Sequence, residues 1–495
     1  MRLRRTACAV SLALLAGCGT TVSSAPVNNL PLGSGEAPLS APSGSLPDKA
    51  GQVAGSAVAT KPTPSGEAQP GSSPGLATTT GSNAGGGRAA SAVTNHRPIE
   101  VGLLYNDFTA AARQTGVAEK EIADPSRAFH ALVRAINAGG GLDGRRIIPV
   151  YYRIDGLTRD YSTSAQAACA AFTQDHHVEA VVSINFTWDN LSNCLAQAGV
   201  AQFDGAPWTG HSEAELARYP AVYWSGAAAI DRYARMVLSE SVRTKWVTTH
   251  NKVGVLEDGC SGSTSTYDHV VQPLASSLKI PIEGVVAFDC VNGASDIGKI
   301  ESGLQSAAFK FRADGIDRVM YLTDIEGLAN TYFAQNAHSQ QWHPGYMVSS
   351  VGILQLQASQ IPADQLPNMH GVGWVPILDV THPAPTTQSQ RCLALDRKGG
   401  DAAPASQDQT AWLLLTCDPL FLLEAALGAD GGIGGLAALS EGVRRLGTSY
   451  VAVGALGGAT DFGNGRHDGV AEARAFGYNA HCACFRPLAA PVPVR

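Results

Sequence analysis

The chain has 495 residues, of which 44% are hydrophobic and 16% charged, and its formal charge is −7 at pH 7. A mildly acidic balance without a basic cluster argues against a nucleic-acid-binding protein and against a polybasic membrane contact. The length excludes a single small domain and leaves room for two or three domains with sizeable cores.

The first 17 residues have the pattern of a bacterial lipoprotein signal peptide. Three arginines precede an apolar run over residues 7–16, which is too short to span a bilayer. Residues 15–18, Leu-Ala-Gly-Cys, match the bacterial lipobox and predict lipid attachment at Cys18. An ordinary secretory signal that contains a cysteine is the alternative. We therefore expect a lipid-anchored protein at the outer face of the cytoplasmic membrane.

Residues 18–97 are dominated by Gly, Ser, Ala, Pro and Thr, with few charges and almost no aromatic residues. Such a composition cannot bury enough apolar surface to offset chain entropy. It predicts a flexible tether without a fold of its own. Proline-rich recognition by a partner is the alternative.

A complete strand, helix and strand unit follows the tether. Residues 100–105 are a short apolar run typical of a buried strand, and Asp124 and Pro125 supply a cap and a first-turn proline for the next helix. The glycine-rich residues 137–144 end that helix, and residues 146–152 form the next strand. A phosphate-binding loop is disfavoured, because such loops lie between a strand and the start of a helix.

This unit, with its helix ending Ile-Asn-Ala-Gly-Gly-Gly-Leu-Asp-Gly-Arg at residues 136–145, resembles the opening of the type I periplasmic binding proteins. These are the branched-chain amino acid, amide and urea receptors of ABC importers. The resemblance implies an α/β fold in which two lobes, each a parallel sheet flanked by helices, are joined by three hinge crossings. It also implies capture of a small molecule between the lobes and delivery to an ABC permease.

Alternating strand and helix patterns continue to the C-terminus. By analogy with the family, the first lobe is expected at 98–225, the second at 226–370, a return to the first at 371–448, and a closing hairpin with the C-terminal tail at 449–495. The apolar residues 411–429 contain Asp418, Pro419 and Glu424, so they predict a buried helix and not a membrane span.

Predicted strand ends of the first lobe supply candidate ligand contacts, since open α/β sheets bind ligands at the carboxyl ends of their strands. In the family a Gly-Ala turn presents backbone groups to the ligand carboxylate, and Gly205 and Ala206 match it. Phe186 and Trp208 are cleft residues or, alternatively, core residues. The candidates in this lobe are Tyr105, Asn185, Phe186, Gly205, Ala206 and Trp208.

The second lobe offers acidic candidates. A ligand ammonium group would need a carboxylate partner such as Asp324 or Glu326, although both could instead be helix caps. The chain departs from the amino acid receptors at Ser349 and Ser350, where an acidic residue is expected. The candidates in this lobe are Glu257, Tyr267, Asp324 and Glu326.

Of the ten cysteines, one leaves with the signal peptide and Cys18 carries lipid, so eight remain. An even number in an exported protein suggests disulfides, whose pairing the sequence alone does not decide. Neighbours in sequence are the simplest choice, and the resembling receptors have a bridge of similar span in the first lobe. Two cysteines as close as Cys482 and Cys484 seldom bond to each other. The expected bridges are Cys169 to Cys194, Cys260 to Cys290 and Cys392 to Cys417.

We expect no catalytic residue, metal or cofactor. Residues 259–263 begin like a nucleophile elbow but lack its final glycine. A metal site at His467, His481, Cys482 and Cys484 is disfavoured, because exported cysteines usually oxidise.

The preferred interpretation is a monomeric solute-binding receptor. A ligand-sensing lipoprotein that reports to a signalling partner and a cell-surface enzyme are the alternatives.

Overall fold

The computed structural model describes residues 97–107, 124–184, 189–219 and 221–494. The predicted signal peptide, Cys18 and almost the whole tether lie outside the described residues, as do the candidates Asn185 and Phe186. The described chain forms two lobes, each with its own sheet.

The first lobe is built on a parallel sheet with the strand order β2-β1-β3-β4-β5. Its central strands are buried along most of their length, which explains their nearly continuous apolar sequence. The strands are β1 (Ile99–Asp107), β2 (Ile147–Asp155), β3 (Ala180–Ile184), β4 (Ala201–Asp204) and β5 (Val222–Trp224).

The first helix begins and ends as predicted. The side chain of Asp124 accepts a hydrogen bond from the backbone N–H of Ser126 at 2.9 Å, and Pro125 is the first helical residue. Gly139 caps the C-terminus, and Gly141 has a φ of +89° in the turn that follows. The helices of this segment are α1 (Pro125–Ala138), α2 (Tyr161–Ala170, continued by a π-helical turn at Ala171–Asp175), α3 (Asp189–Gln197) and α4 (Glu213–Leu216).

The second lobe contains a larger sheet with the order β12-β11-β10-β9-β8-β6-β7, in which β13 pairs with β11. The strands from β7 to β10 are parallel, and the pairs made by β11 are antiparallel. The strands are β6 (Val253–Asp258), β7 (Ile282–Phe288), β8 (Arg318–Leu322), β9 (Gly345–Ser349), β10 (Met369–Gly373), β11 (Glu472–Asn479), β12 (Cys484–Pro487) and β13 (Val492–Pro493).

Helices flank this sheet as well, so the predicted fold class is confirmed. A π-helical turn, Tyr267–Val271, joins two of them. The helices are α5 (Ile230–Arg243), α6 (Ser261–Thr266), α7 (Gln272–Leu278), α8 (Ile297–Ala313), α9 (Glu326–Ser339), α10 (Leu354–Gln357) and α11 (Pro376–Asp379).

Three later helices return to the first lobe: α12 (Thr387–Lys398), α13 (Gln407–Asp430) and α14 (Leu436–Leu446). Within the described residues, α13 alone is long and apolar enough to cross a membrane, but 78% of its most apolar window is buried in the protein. It contributes Leu422 to the core of the first lobe and Leu415 to that of the second. The prediction of a buried helix is therefore confirmed.

The return to the first lobe begins later than residue 371. Strand β10 extends to Gly373 and lies between β9 and β11 in the second sheet. A side chain at Gly371 would place its Cβ 2.3 Å from the ring of Phe476 on β11, so this glycine serves sheet packing. The C-terminal hairpin, β11 and β12, likewise belongs to the second sheet.

The cysteines form four disulfides in the structure. The bridges Cys169–Cys194, Cys260–Cys290 and Cys392–Cys417 join the neighbours that sequence order suggested. Contrary to the expectation for the last pair, Cys482 bonds to Cys484, and Ala483 between them adopts a left-handed conformation with a φ of +49°.

Candidate ligand-binding cleft

The carboxyl ends of the strands in the two sheets lead into loops that meet between the lobes. Tyr161, after β2, donates its backbone N–H to the carbonyl of Asn292, after β7, at 3.0 Å. The N–H of Ala294 donates to the carbonyl of Thr158, also at 3.0 Å. We call residues 158–161 and 292–294 the latch, because they join the lobes through backbone groups.

The latch packs too closely for a side chain at its centre. A Cβ on Gly293 would lie 2.1 Å from the carbonyl oxygen of Arg159. The loop that carries Gly293 is tied to the start of α6 by the Cys260–Cys290 disulfide. A rigid segment of the second lobe therefore contacts the first lobe at the edge of the cleft.

A group of acidic side chains lies at the ends of β6 and β8 in the second lobe. Glu257 is 8% exposed, and its buried Oε2 has no hydrogen-bond partner in the part of the chain that the structure describes. The next residue, Asp258, is buried and accepts a hydrogen bond from the N–H of Cys260 at 3.2 Å. We call Glu257, Asp258 and Asp324 the cleft acids.

Burial makes the charged form of the cleft acids unfavourable. Burial and the neighbouring Asp258 raise the pKa of Asp324 to about 7. The pKa of Glu257 is also raised, first by burial and then by Asp258 and Asp268. Tyr267 is half-buried, and burial, Glu257 and Asp268 raise its pKa. Three of the four candidates of this lobe, Glu257, Tyr267 and Asp324, therefore belong to one group with Asp258.

The fourth candidate, Glu326, has internal partners. It is almost fully buried at the start of α9 and accepts hydrogen bonds from the N–H and the Oγ of Ser349, at 2.6 and 2.5 Å. Ser350 accepts hydrogen bonds from the N–H groups of Trp374 and Val375, at 2.8 and 3.1 Å. Both serines that replace the expected acid are therefore part of a buried network.

In the first lobe, the amides of the predicted carboxylate-binding turn already have partners. The N–H of Gly205 donates to the carbonyl of Ser183 at 3.0 Å, and that of Ala206 donates to Oδ1 of Asp204 at 2.7 Å. A Cβ on Gly205 would lie 1.9 Å from the carbonyl of Leu415 in α13. Close helix packing, and not ligand access, explains this glycine.

The aromatic candidates have different surroundings. Tyr105 is buried in the core of the first lobe, with its ring 6.2 Å from that of Phe129. Trp208 is half-buried, forms a β-bridge with Ala228 and packs against the core of the second lobe. Trp208 therefore contacts both lobes, whereas Tyr105 is a core residue at the end of β1.

Sequence reasoning missed a buried polar network around residues 226–232, 374, 418, 450–453 and 468, which we call the hinge network, or the hinge. Asp418 of α13 accepts hydrogen bonds from the hydroxyl of Tyr450 and the N–H of Val453, both at 2.9 Å. The indole N–H of Trp374, just after β10, donates to the carbonyl of Gly226 at 3.1 Å. The signal was Asp418 itself, because an acid within an apolar helix needs a buried partner.

A buried ion pair joins helix α5 to the segment around residue 468. Arg232 of α5 contacts Asp468 at 2.5 Å between Nη1 and Oδ2, and the two side chains are 0% and 2% exposed. Asp468 also accepts a hydrogen bond from the N–H of Ala229 at 2.7 Å. The segments around residues 226–229 and 468 are thus connected by charge-assisted hydrogen bonds.

A separate cavity of about 440 Å³ lies on the first lobe, between α14 and residues 462–467. Its Arg444 is paired with Glu441, and its Arg466 is paired with Asp461. Because both cations are already neutralised by neighbours, the cavity offers a ligand less unmet charge than the cleft does.

No family model and no curated protein sequence matches the chain. Solved structures do match its fold. The branched-chain amino acid binding protein LivJ of Streptococcus pneumoniae, in complex with isoleucine, is 17% identical with a TM-score of 0.54, and the match covers 80% of this chain and 99% of that one.

Two further structures match at similar levels. A branched-chain amino acid ABC transporter protein of Thermus thermophilus with bound valine is 11% identical with a TM-score of 0.57, covering 80% of this chain and 97% of that one. A solute-binding protein of Rhodopseudomonas palustris in complex with p-hydroxybenzoic acid is 10% identical with a TM-score of 0.57, covering 80% and 98%. The described chain therefore has the fold of the type I substrate-binding proteins of ABC transporters.

Proposed function

We propose that the protein is an extracytoplasmic, lipid-anchored receptor that binds a small polar or amino acid-like ligand between its lobes and delivers it to an ABC import permease. The observation that carries this proposal is the meeting of the strand ends of both sheets at a cleft bordered by the latch. A molecule held there would contact both lobes at once. Binding in such a fold requires no chemical step.

Ligand capture would work by a shift between open and closed arrangements of the lobes. A ligand favours the closed arrangement only by as much as it binds that arrangement better than the open one. The latch adds two backbone hydrogen bonds to the closed form. The hinge network keeps the crossing segments together while the lobes move. In this proposal Trp208, Glu257, Tyr267 and Asp324 bind the ligand, and Asn185 and Phe186 remain candidates.

Thermal unfolding of the full-length lipoprotein in detergent tests the receptor. The panel contains branched and aromatic amino acids, amides, urea, small carboxylates and small amines. A ligand at one hundred times its dissociation constant should add about 2.7 kcal/mol to the free energy of unfolding. Mass spectrometry before and after incubation should find the compound unchanged. Consumption of the compound would instead support a surface enzyme.

Lipid attachment has a test of its own. Metabolic labelling with a fatty acid should label the protein, and Cys18→Ser should abolish the label and release the protein from the membrane. Cys8→Ser is the matched control, since it changes the other N-terminal cysteine and should leave labelling intact. Labelling of both variants alike would contradict attachment at Cys18.

A further inference from the structure

We propose that the ligand of the cleft carries a positive charge, as an amine, polyamine or guanidinium group, and that Glu257 and Asp324 bind this group. The inference rests on the proposed receptor function and names its substrate class. It follows from the charges at the ends of the strands, from the unpaired Glu257 and from the occupied amides of the first lobe.

Strands of both sheets end in acidic residues. In the first lobe, β1 ends at Asp107, β2 at Asp155 and β4 at Asp204. In the second lobe, β6 ends at Asp258, and Asp324 follows β8. Because the carboxyl ends of parallel strands share one edge, the cleft has acidic residues on both sides.

The acids of the first lobe already have partners. Asp107 is paired with Arg153 at 2.7 Å, and Asp155 accepts a hydrogen bond from the N–H of Leu157 at 2.9 Å. Asp204 accepts hydrogen bonds from Ser183 Oγ at 2.6 Å and from the N–H of Ala206 at 2.7 Å. Asp107 and Asp204 therefore have partners within the first lobe, whereas Oε2 of Glu257 in the second lobe has none among the described residues.

Glu257 is the residue that points to a ligand. More than nine-tenths of it is buried, and within the described residues its Oε2 has no hydrogen-bond partner. Within the described residues, no Arg, Lys or His forms an ion pair with any of the cleft acids. Burying a carboxylate without a partner is unfavourable, and an incoming ammonium or guanidinium would provide the missing donor and the opposite charge.

The first lobe also lacks the expected site for a ligand carboxylate, as far as the described residues extend. The amides of Gly205 and Ala206 donate internally, and Asp204 would repel an anion at this turn. The carboxylate of a zwitterionic amino acid would thus find no free backbone amide at this turn. An amine without a carboxylate does not need such an amide. Half-buried Tyr267 and Trp208 offer aromatic faces on which a cation can rest.

The test measures binding of putrescine, agmatine and arginine to the full-length protein by calorimetry, with leucine, 4-hydroxybenzoate and calcium chloride as comparison compounds. We expect at least one organic cation to bind and the comparison compounds to bind far more weakly. Glu257→Gln and Asp324→Asn should each weaken binding of that cation about 10- to 100-fold, as expected for loss of a buried charge partner. Asp314→Asn, which removes an exposed acid of the same lobe paired with Lys310, should leave the affinity unchanged.

The unfolding midpoint of the ligand-free variants distinguishes a binding role from a structural one. Neutralising an unpaired buried carboxylate should keep or raise the midpoint, whereas removing a structural one lowers it. Binding of leucine or 4-hydroxybenzoate with an affinity that Glu257→Gln leaves unchanged would overturn the cationic class and keep the receptor. Binding of calcium alone would also overturn it. If no compound of either panel binds, both the inference and the receptor proposal fail.

Discussion

The lobes meet in two regions, the hinge and the cleft, and both contain buried acids. The acids of the two regions differ in how many of their oxygen atoms have hydrogen-bond partners or counter-ions. At the hinge, Asp418 and Asp468 each accept several hydrogen bonds, and Asp468 has Arg232 as a counter-ion. In the cleft, Oε2 of Glu257 is buried and has no hydrogen-bond partner among the described residues. The difference is consistent with the proposal that the cleft acids bind a ligand, while the hinge acids stabilise the fold.

The largest expected effect is at the hinge. Asp468→Asn leaves the fully buried Arg232 without a close counter-ion, because the remaining acid, Glu213, lies 4.0 Å away and is 40% exposed. We expect a loss of about 3–5 kcal/mol in the free energy of unfolding, measured by urea titration at pH 7.

Asp314→Asn serves as the control for this change, because it breaks the exposed pair with Lys310 and should cost about 1 kcal/mol or less. If Asp468→Asn costs no more than this control, the hinge pair does not hold the crossing segments, and the contrast between hinge and cleft disappears.

A smaller effect is expected from pH in the cleft. The pKa of Asp324 in the folded protein is raised to about 7, so the native state binds more protons than the unfolded chain between pH 4 and pH 7. Stability from this group is therefore fully present below the unfolded pKa and is lost as pH rises towards 7. The titratable groups around it are Asp258 on β6, Tyr233 on α5 and Glu326 on α9.

Asp324→Asn isolates this contribution, since Glu326, whose pKa burial also raises to about 7, is unchanged in the variant. Between pH 5 and pH 7.5 the wild type should lose about 1–3 kcal/mol more than the variant. Parallel pH profiles of the two proteins would mean that folding does not raise the pKa of Asp324.

The sequence predicted the fold well where periodicity was strong. The sequence pattern predicts a strand at residues 318–322, which is the range of β8, and a helix at residues 230–242, which is one residue shorter than α5. Helix α12 was missed because few of its side chains are apolar and its start depends on a capping box between Thr386 and Ser389. Residues 371–373, which the sequence assigns to the return to the first lobe, lie in β10 of the second sheet, because a strand in the middle of a sheet and a crossing segment have similar apolar sequences.

The candidate site was less predictable, because it depends on which polar atoms find partners. The sequence placed Glu257 and Asp324 at strand ends, but it could not distinguish them from Glu326, whose partner Ser349 is 23 positions away. The occupied amides of Gly205 and Ala206 are equally invisible in sequence. The spacing of residues in the sequence indicates where a side chain lies along a helix or strand. Whether its polar atoms have hydrogen-bond partners depends on neighbours that are distant in sequence.

The smallest expected effect concerns the latch, where the cleft contact consists of two backbone hydrogen bonds. In Gly293→Ala the new Cβ would lie 2.1 Å from the carbonyl oxygen of Arg159, a backbone atom that cannot move aside cheaply, so residues 158–161 and 292–294 must separate. The substitution therefore destabilises the closed arrangement, in which the two lobes are in contact at the latch, and leaves the open arrangement unchanged. We therefore expect about 5-fold weaker ligand binding, close to 1 kcal/mol, with nearly unchanged unfolding.

Small-angle X-ray scattering should detect a larger radius of gyration for Gly293→Ala than for the wild type. Gly298→Ala, in α8 of the same lobe, is the matched control because its Cβ would meet nothing within 4 Å, and it should change neither quantity. An unchanged affinity in Gly293→Ala would mean that the latch is an incidental contact. Closure of the lobes would then depend on the ligand and the cleft acids alone. The contrast with the hinge would become sharper, because the hinge acids have hydrogen-bond partners within the protein.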